Sequence, residues 1–340
     1  ISPAAILQNK QSISFPPIVF GYLYCTTTRR KKQDKQKAKK AHAMQGAYVC
    51  IQGTMEKIFD IHTHTYPEKI AGRATESLGH FYDFTVEGAG TYAHLESQAK
   101  ENHIRGYLLF SVATNAHQVP KVNDSIAALA EFSRSRGFLT VGFAGMHQEY
   151  PDFAGEMDRA EGLGLRGVKL HPDIQEVDAD DPRLFPLYEI LAAKHMPLYL
   201  HVGDNRPQYR YSHASKVVRI LENFPTLTVA AAHFGGYMAW DDALTWFAAN
   251  RHKPWYEHIW FDTSSSLWAM TPERARHMID SLGADHIMFG TDYPVKNVAG
   301  EIARLDALAL PSPVRENILW NNAVRFLHLE NEAARLVDAE

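Results

Sequence analysis

The 340-residue sequence has only 2 Cys, and both of them, Cys25 and Cys50, lie within residues 1–54. A disulfide-stabilised scaffold and a cysteine-rich zinc module are therefore excluded. No uninterrupted apolar run approaches the roughly 18–20 residues that a membrane helix needs, so we expect no membrane partner. The formal net charge of −4 gives no indication of a nucleic-acid partner either. The 45% of residues that are hydrophobic are nevertheless sufficient for a folded core.

Charge divides the chain into two parts. Residues 1–54 hold nine Lys or Arg and one acid, giving +8, whereas residues 55–340 hold 26 basic and 38 acidic residues, giving −12. The basic run at 29–40 is typical of a solvated, disordered segment. We predict that 1–54 is a disordered or non-native extension and that Met55 is a native start. A targeting segment and a nucleic-acid or membrane patch are the alternatives for 1–54. We expect the Cys-free remainder in a reducing compartment, the cytoplasm.

Residues 55–340 alternate short apolar runs with longer amphipathic stretches. The predicted strands cover 57–64, 104–113, 138–147, 165–172, 196–203, 227–236, 259–266 and 286–294. Helical patterns between them cover 121–136, 183–195, 214–223, 238–250 and 272–282. Apolar strands joined by helices favour a parallel sheet. Eight such units predict an α/β fold, a (β/α)8 TIM barrel, which typically takes about 250 residues. A doubly wound open sheet is the alternative, but the sequence lacks its glycine-rich turn after the first strand.

Two predicted connections are long, at 65–93 and 204–213. Both exceed the usual length of a loop between a strand and a helix, and both would lie on the face where barrel enzymes build their sites. We predict that they form a lid and a substrate-contacting loop, with simple surface insertions as the alternative. Arg206 and Arg210 in the second connection are candidates to hold a substrate carboxylate through paired hydrogen bonds.

Polar side chains end several of the predicted strands. In the first strand, alternation places Asp60, His62 and His64 on one face and Phe59 and Ile61 on the other. If the apolar face packs on the helices, both histidines point into the mouth of the barrel. Other strands carry polar residues at the same end, namely Lys169, His171, His201, His233 and Asp292. Several imidazoles beside a carboxylate favour a site for Zn²⁺, Fe²⁺ or Mn²⁺.

The ordered motifs FDIHTH, GVKLHP, LHVGD, AAAHFGG and FGTDYP, with ILWNNAVRFLHL near the end, resemble the amidohydrolase superfamily. Within it they are most similar to the amidohydrolase-related branch, also called amidohydrolase 2. The resemblance covers residues 56–330 and implies a metal-dependent TIM-barrel enzyme over 55–340. That branch contains hydrolases together with non-oxidative decarboxylases such as aminocarboxymuconate-semialdehyde decarboxylase.

The resemblance also implies roles for single residues. It implies one divalent ion, Zn²⁺ first with Mn²⁺ or Fe²⁺ as alternatives, bound by His62, His64, His201 and Asp292. It implies that His233 is a catalytic histidine. Lys169 and His171 are expected to contact substrate or support the site. A carboxylated Lys169 that holds a second ion, as in binuclear members of the superfamily, remains the alternative.

A bound ion lowers the pKa of its water from about 16 to about 7. Asp292 is placed to take a proton from that water and pass it to a leaving group, and His233 to stabilise an oxyanion. We therefore predict hydrolysis of an amide, lactone or ester in a small-molecule substrate. The alternative is decarboxylation of an aromatic or unsaturated carboxylate, in which His or Asp gives a proton to carbon. A non-catalytic barrel is disfavoured because every matched position is filled, and a homodimer is compatible with this fold.

Overall fold

Parallel strands that follow one another in space as in sequence form the centre of the molecule. The computed structural model describes residues 57–337, so the predicted 1–54 extension lies outside the described residues. This described part has eight strands: β1 (Ile58–His64), β2 (Ile104–Phe110), β3 (Leu139–Gly145), β4 (Leu165–Leu170), β5 (Leu198–Leu200), β6 (Val229–Ala231), β7 (Ile259–Asp262) and β8 (Ile287–Met288). Each pairs in parallel with the next in one sheet of order β1 to β8.

The two edges of this sheet meet. The amides of Ile61 and His64 in β1 donate to the carbonyl oxygens of Phe289 and Tyr293, at 2.9 and 2.7 Å. A parallel bridge also joins Thr63 to Tyr293. These bonds leave the sheet almost closed on itself, and the predicted (β/α)8 barrel is confirmed.

Helices connect the strands. Within residues 57–337 the α-helices are α1 (Glu68–Tyr82), α2 (Tyr92–Glu101), α3 (Val119–Ser135), α4 (Phe153–Gly162), α5 (Pro172–Gln175), α6 (Phe185–Lys194), α7 (Ala214–Asn223), α8 (Trp240–Trp246), α9 (Pro272–Leu282), α10 (Val298–Asp306), α11 (Ser312–Glu316), α12 (Asn322–Phe326) and α13 (Glu330–Val337). Helix α9 shows why a helix begins where it does. The Thr271 side chain accepts from the amide of Arg274, and Pro272 takes the first helical position. Across the described part of the chain, no helix combines the length and the apolar character needed to cross a membrane.

The core has an outer and an inner layer. The outer layer joins the strands to the helices and includes Leu109, Leu198 and Phe261 of the strands. The inner layer includes Phe143 and Met288 and continues into the C-terminal segment, for example Phe326. Burial of each such side chain contributes about 2 kcal/mol. The packed interior supports the side chains at the carboxyl ends of the strands.

Strand β1 departs from the predicted alternation. Phe59 and Ile61 were expected to face the helices, but both belong to the inner layer of the core. The pairing of β1 with β2 shifts register between Asp60 and Thr63. This irregularity breaks the period of two, so the ring of His62 also lies among inner-layer aromatic rings.

Candidate active site

A cavity of about 290 Å³ opens at the carboxyl ends of the strands. Its floor consists of polar side chains at or just beyond strand ends, namely His62, His64, Lys169, His171, His201, His233 and Asp292. Its roof consists of side chains of α1, namely Ala74, Ser77, Leu78, Phe81 and Tyr82. The predicted 65–93 connection therefore covers the cavity, and much of it is helix rather than loop.

Three floor side chains direct their donor atoms toward one another. His62 Nε2 and His64 Nε2 are 3.2 Å apart, and Asp292 Oδ1 lies 3.2 Å from the first and 3.7 Å from the second. Burial lowers the pKa of His64 well below its usual range, which keeps this imidazole neutral and able to bind a cation. Two imidazoles and a carboxylate whose ligand atoms lie this close together can bind Zn²⁺, Mn²⁺ or Fe²⁺.

Asp262 at the end of β7 orients this group. Its Oδ2 lies 2.9 Å from His62 Nδ1, so the ring proton sits on Nδ1 and leaves Nε2 free to bind a metal. Its Oδ1 accepts from the amides of His233 and Ser264, at 3.0 and 2.9 Å. Burial opposes ionisation, but the electrostatic attraction of the His62 Nδ1–H and its hydrogen bond outweigh burial and hold the pKa of Asp262 well below its usual range.

Asp292 is held by its backbone and by a serine. Its φ of +59° lies in the left-handed region, which Asp tolerates better than most residues. Ser265 Oγ donates to its Oδ2 at 2.5 Å. The preceding residue, Thr291, donates from its amide and its hydroxyl to Asp60, at 3.0 and 2.6 Å. Burial raises the pKa of Asp60 to about 7. The carboxylate of Asp292 therefore has one oxygen toward the histidines and one toward Ser265.

His201 lies apart from this group, next to His171 and His233. Its ring stacks on that of His171 at 3.9 Å, and its Nδ1 is 3.0 Å from His233 Nε2. Of the four predicted ligands, the structure brings His62, His64 and Asp292 together, whereas His201 as the fourth stays a prediction. Burial lowers the pKa of His233 to about 4, so this ring is neutral near pH 7.

Comparison with known proteins places the chain in a family. Residues 59–329 match the sequence profile of the family described as Amidohydrolase, Amidohydro_2. The chain belongs to this amidohydrolase 2 family. It is 23% identical over 268 residues to a gamma-resorcylate decarboxylase from a Polaromonas species, covering 64% of this chain and 82% of that protein. It is also 23% identical over 201 residues to a 2-amino-3-carboxymuconate-6-semialdehyde decarboxylase from Dictyostelium discoideum, covering 49% of this chain and 55% of that protein.

The fold is likewise similar to that of a solved enzyme. The 5-carboxyvanillate decarboxylase from Novosphingobium aromaticivorans, in complex with manganese and 4-hydroxy-3-methoxy-5-nitrobenzoic acid, superposes with a TM-score of 0.61. The two sequences are 17% identical, and the match covers 82% of this chain and 97% of the other. An identity this low shows the shared barrel and no more.

Lys169 lies in the floor of this amidohydrolase 2 barrel and is fully buried. Its Nζ is 3.4 Å from His62 Nε2 and lies over the rings of Phe110 and Tyr199, at 4.6 and 4.7 Å. Burial lowers its pKa to about 8. His171, the other predicted substrate contact from this part of the chain, lines the cavity beside Tyr82.

The two predicted arginines lie outside the residues that line the cavity. Arg206 donates to both oxygens of Asp204, and its guanidinium carbon lies 4.1 Å from the ring centre of Tyr209. Arg210 is exposed. A substrate carboxylate would have to displace Asp204 to pair with Arg206, so this arrangement does not support either arginine as a direct carboxylate clamp.

Sequence reasoning missed Asp262 and Tyr82. A signal for Asp262 existed, because IWFD ends an apolar strand with a carboxylate just as IMFGTD ends in Asp292. Tyr82 falls within the long 65–93 connection, for which the sequence predicts a lid and no role of this side chain. Its hydroxyl reaches the floor because α1 forms and ends there, where Asp83 adopts a left-handed φ of +57°. Burial raises the pKa of Tyr82 well above its usual range, so its hydroxyl keeps its proton.

Proposed function

We propose that the protein is a metal-dependent, non-oxidative decarboxylase of a small aromatic or unsaturated carboxylate. The observation that carries this proposal is the placement of Asp292, which lies against His62 and His64 on the floor of a cavity whose walls are mostly apolar. Relatives named as decarboxylases support it, whereas hydrolysis, the first prediction from the sequence, has no comparable support. The alternative from the sequence thus becomes the preferred function.

The cavity suits a flat, single-ring substrate. Its volume of about 290 Å³ lies at the small end of the range for ligand pockets. Leu78 and Phe81 of the roof and Val112, Ile174 and Val295 at the sides are apolar. Polar groups are concentrated on the floor. A ring can therefore lie against the apolar wall with its oxygen substituents turned toward the histidines.

His62, His64 and Asp292 are the residues that would hold the divalent ion, with His201 as the predicted fourth ligand. When bound, such an ion supplies positive charge that attracts substrate oxygens and stabilises negative charge on them. Manganese, one of the alternatives to Zn²⁺ predicted from the sequence, is the ion present in a structurally similar decarboxylase.

Asp292 is the proposed proton donor. A proton carried on its Oδ2 passes to the ring carbon that bears the carboxylate, so that a new C–H bond forms. The C–C bond to the carboxylate then breaks, its electron pair returns to the ring, and CO₂ leaves. Ser265 Oγ, which donates to Oδ2 at 2.5 Å, holds this oxygen in place, and a proton from solvent that enters the cavity restores Asp292 after CO₂ leaves. His233, neutral near pH 7, orients a substrate oxygen through a hydrogen bond.

A product assay tests this function. Enzyme stripped with a chelator and reloaded separately with Mn²⁺ or Zn²⁺ is incubated with 2,6-dihydroxybenzoate and 5-carboxyvanillate, and in parallel with amides, lactones and esters. We expect metal-dependent CO₂ release. In D₂O, the product should carry one deuterium at the carbon that lost its carboxylate. Hydrolysis of an amide, lactone or ester without any CO₂ release from the acids would overturn the proposal.

A further inference from the structure

The side chain of Tyr82 reaches from the roof of the cavity to the floor, where its hydroxyl contacts two histidines. Its oxygen lies 2.8 Å from Nε2 of His171 and 3.4 Å from Nε2 of His201. Each of these rings also has other partners. Those contacts indicate which way the hydroxyl of Tyr82 can donate.

The proton of His171 lies on Nε2. Its Nδ1 is 3.3 Å from the amide nitrogen of Ile174, which can only donate. Nδ1 therefore accepts and carries no proton, and the ring proton must be on Nε2. It follows that His171 donates to the oxygen of Tyr82, and that Tyr82 does not donate to His171.

His201 is a weak acceptor for the proton. Its Nε2 is 3.4 Å from the Tyr82 oxygen, longer than a normal hydrogen bond, and lies closer to the carbonyl oxygen of Gly203, at 3.1 Å. A substrate oxygen at normal hydrogen-bond distance therefore competes successfully with His201 for the Tyr82 proton. That proton is available to a group inside the cavity.

We infer that the Tyr82 hydroxyl donates a hydrogen bond to a substrate oxygen, and that Arg206 positions Tyr82 for this contact. The nature of that oxygen, a carboxylate or a ring hydroxyl, rests on the proposed function. Either would accept the bond, and both occur in the proposed class of substrate.

Arg206 holds the end of α1 in several ways. Its guanidinium carbon lies 4.8 Å from the ring centre of Phe81 and 5.2 Å from that of Tyr82. Its Nη1 donates to the carbonyl oxygen of Phe81. Asp204 in turn fixes the guanidinium through both of its oxygens. A lysine cannot reproduce this paired and stacked arrangement.

Calorimetric binding of benzoate and of resorcinol to the metal-loaded enzyme tests the contact. Neither probe needs to react, and benzoate offers only a carboxylate whereas resorcinol offers only hydroxyls. In Tyr82→Phe, we expect about tenfold weaker binding of the probe whose oxygen Tyr82 contacts. Weaker binding of benzoate would identify a carboxylate oxygen as the partner of Tyr82, and weaker binding of resorcinol a ring hydroxyl. Tyr211→Phe, which removes a hydroxyl from the 204–213 connection, outside the cavity lining, should bind both probes as the wild type does.

A double-mutant cycle tests the positioning role. Arg206→Lys should weaken binding of the same probe by about threefold. Combined with Tyr82→Phe, it should cause no further loss, because the group that it positions is gone. Independent, additive losses would overturn the role of Arg206. Unchanged binding of both probes by Tyr82→Phe would overturn the contact, as would an equal loss in Tyr211→Phe. Thermal unfolding of each variant checks that it is folded.

The two proposals can fail separately. Because both probes are inert, the binding result does not depend on which reaction the enzyme catalyses. If the enzyme releases no CO₂ from any acid and Tyr82→Phe still loses probe affinity, decarboxylation is rejected and the Tyr82 contact stands. If CO₂ is released and binding is unchanged, the contact is rejected and the function stands.

Discussion

The floor and the roof of the cavity are held in place in different ways. Floor residues such as His62 and Lys169 belong to strands, so hydrogen bonds along the sheet fix their backbone. The roof helix α1 buries only Ala71 among its described residues. Its end is held by side chains, chiefly Arg206 and Asp204. The floor is therefore positioned by the barrel itself, and the roof by a few contacts at the surface.

Because of this difference, we expect the floor to govern the chemical step and the roof to govern substrate binding. A partly exposed ion pair or cation–π contact is worth only about 0.5–2 kcal/mol, so single substitutions can loosen the roof without unfolding the barrel. The floor is buried, and its charges and imidazoles are mutually dependent through Asp262. We therefore expect floor substitutions to reduce turnover and roof substitutions to reduce substrate affinity. The following predictions run from the largest expected effect on turnover to the smallest.

Substitution of the floor carboxylate should have the largest effect. Asp292→Asn keeps the shape of the side chain but cannot donate the proton, so we expect kcat to fall about a thousandfold. The exposed Asp241, which pairs with Arg274 and is not among the cavity-lining residues, provides the control Asp241→Asn with unchanged turnover. Steady-state kinetics with metal content measured on each variant makes the comparison. Near-wild-type turnover in Asp292→Asn would refute the proposed proton donor.

Substitution of Asp262 should have the second-largest effect on turnover, because this residue contacts the floor side chains without lining the cavity. In Asp262→Asn, the amide cannot hold the proton of His62 at Nδ1 as a carboxylate does. Loss of such a partner typically weakens metal binding by about 10–100-fold. Competition with a chelator, which reads metal affinity directly, checks this independently of turnover. Equal metal affinity in the variant and the wild type would show that His62 does not need Asp262.

The same difference between floor and roof explains which features could be predicted from the sequence. The barrel and the floor follow from apolar strands with polar ends, a local pattern that places His62, His233 and Asp292 at one mouth. The register shift in β1 and the left-handed backbone of Asp292 have no such pattern. The roof depends on contacts between segments more than a hundred residues apart, such as Arg206 with Phe81. Alternation along one strand carries no information about contacts of that kind.

The two arginines predicted from the sequence to bind substrate should behave differently. Arg206→Ala removes the support of the roof, so we expect KM to rise about tenfold while kcat changes by less than about twofold. Arg210→Ala should leave both constants unchanged, because the side chain is exposed and outside the cavity lining. Steady-state kinetics of the two variants on one substrate distinguishes them. Equal rises in KM would restore the original interpretation, in which both residues hold the substrate carboxylate.

Substitution of Glu301 in α10 should have the smallest effect on turnover, because this buried carboxyl belongs to neither the floor nor the roof of the cavity. Burial raises its pKa to about 7, and Arg304 offsets this only in part. Between about pH 4.5 and 7 the folded protein keeps a proton that the unfolded chain has lost. The free energy of unfolding should therefore fall as pH rises through this window, by up to about 3 kcal/mol.

Glu301→Gln removes that ionisation, so the variant should be more stable than the wild type at pH 8 and about equally stable at pH 4.5, with unchanged kcat. Chemical denaturation at the two pH values measures this, and the exposed Glu316→Gln serves as the control. The same stability difference at both pH values would show that Glu301 is not the titrating group. A more stable barrel with unaltered turnover would also show that added global stability does not by itself raise turnover.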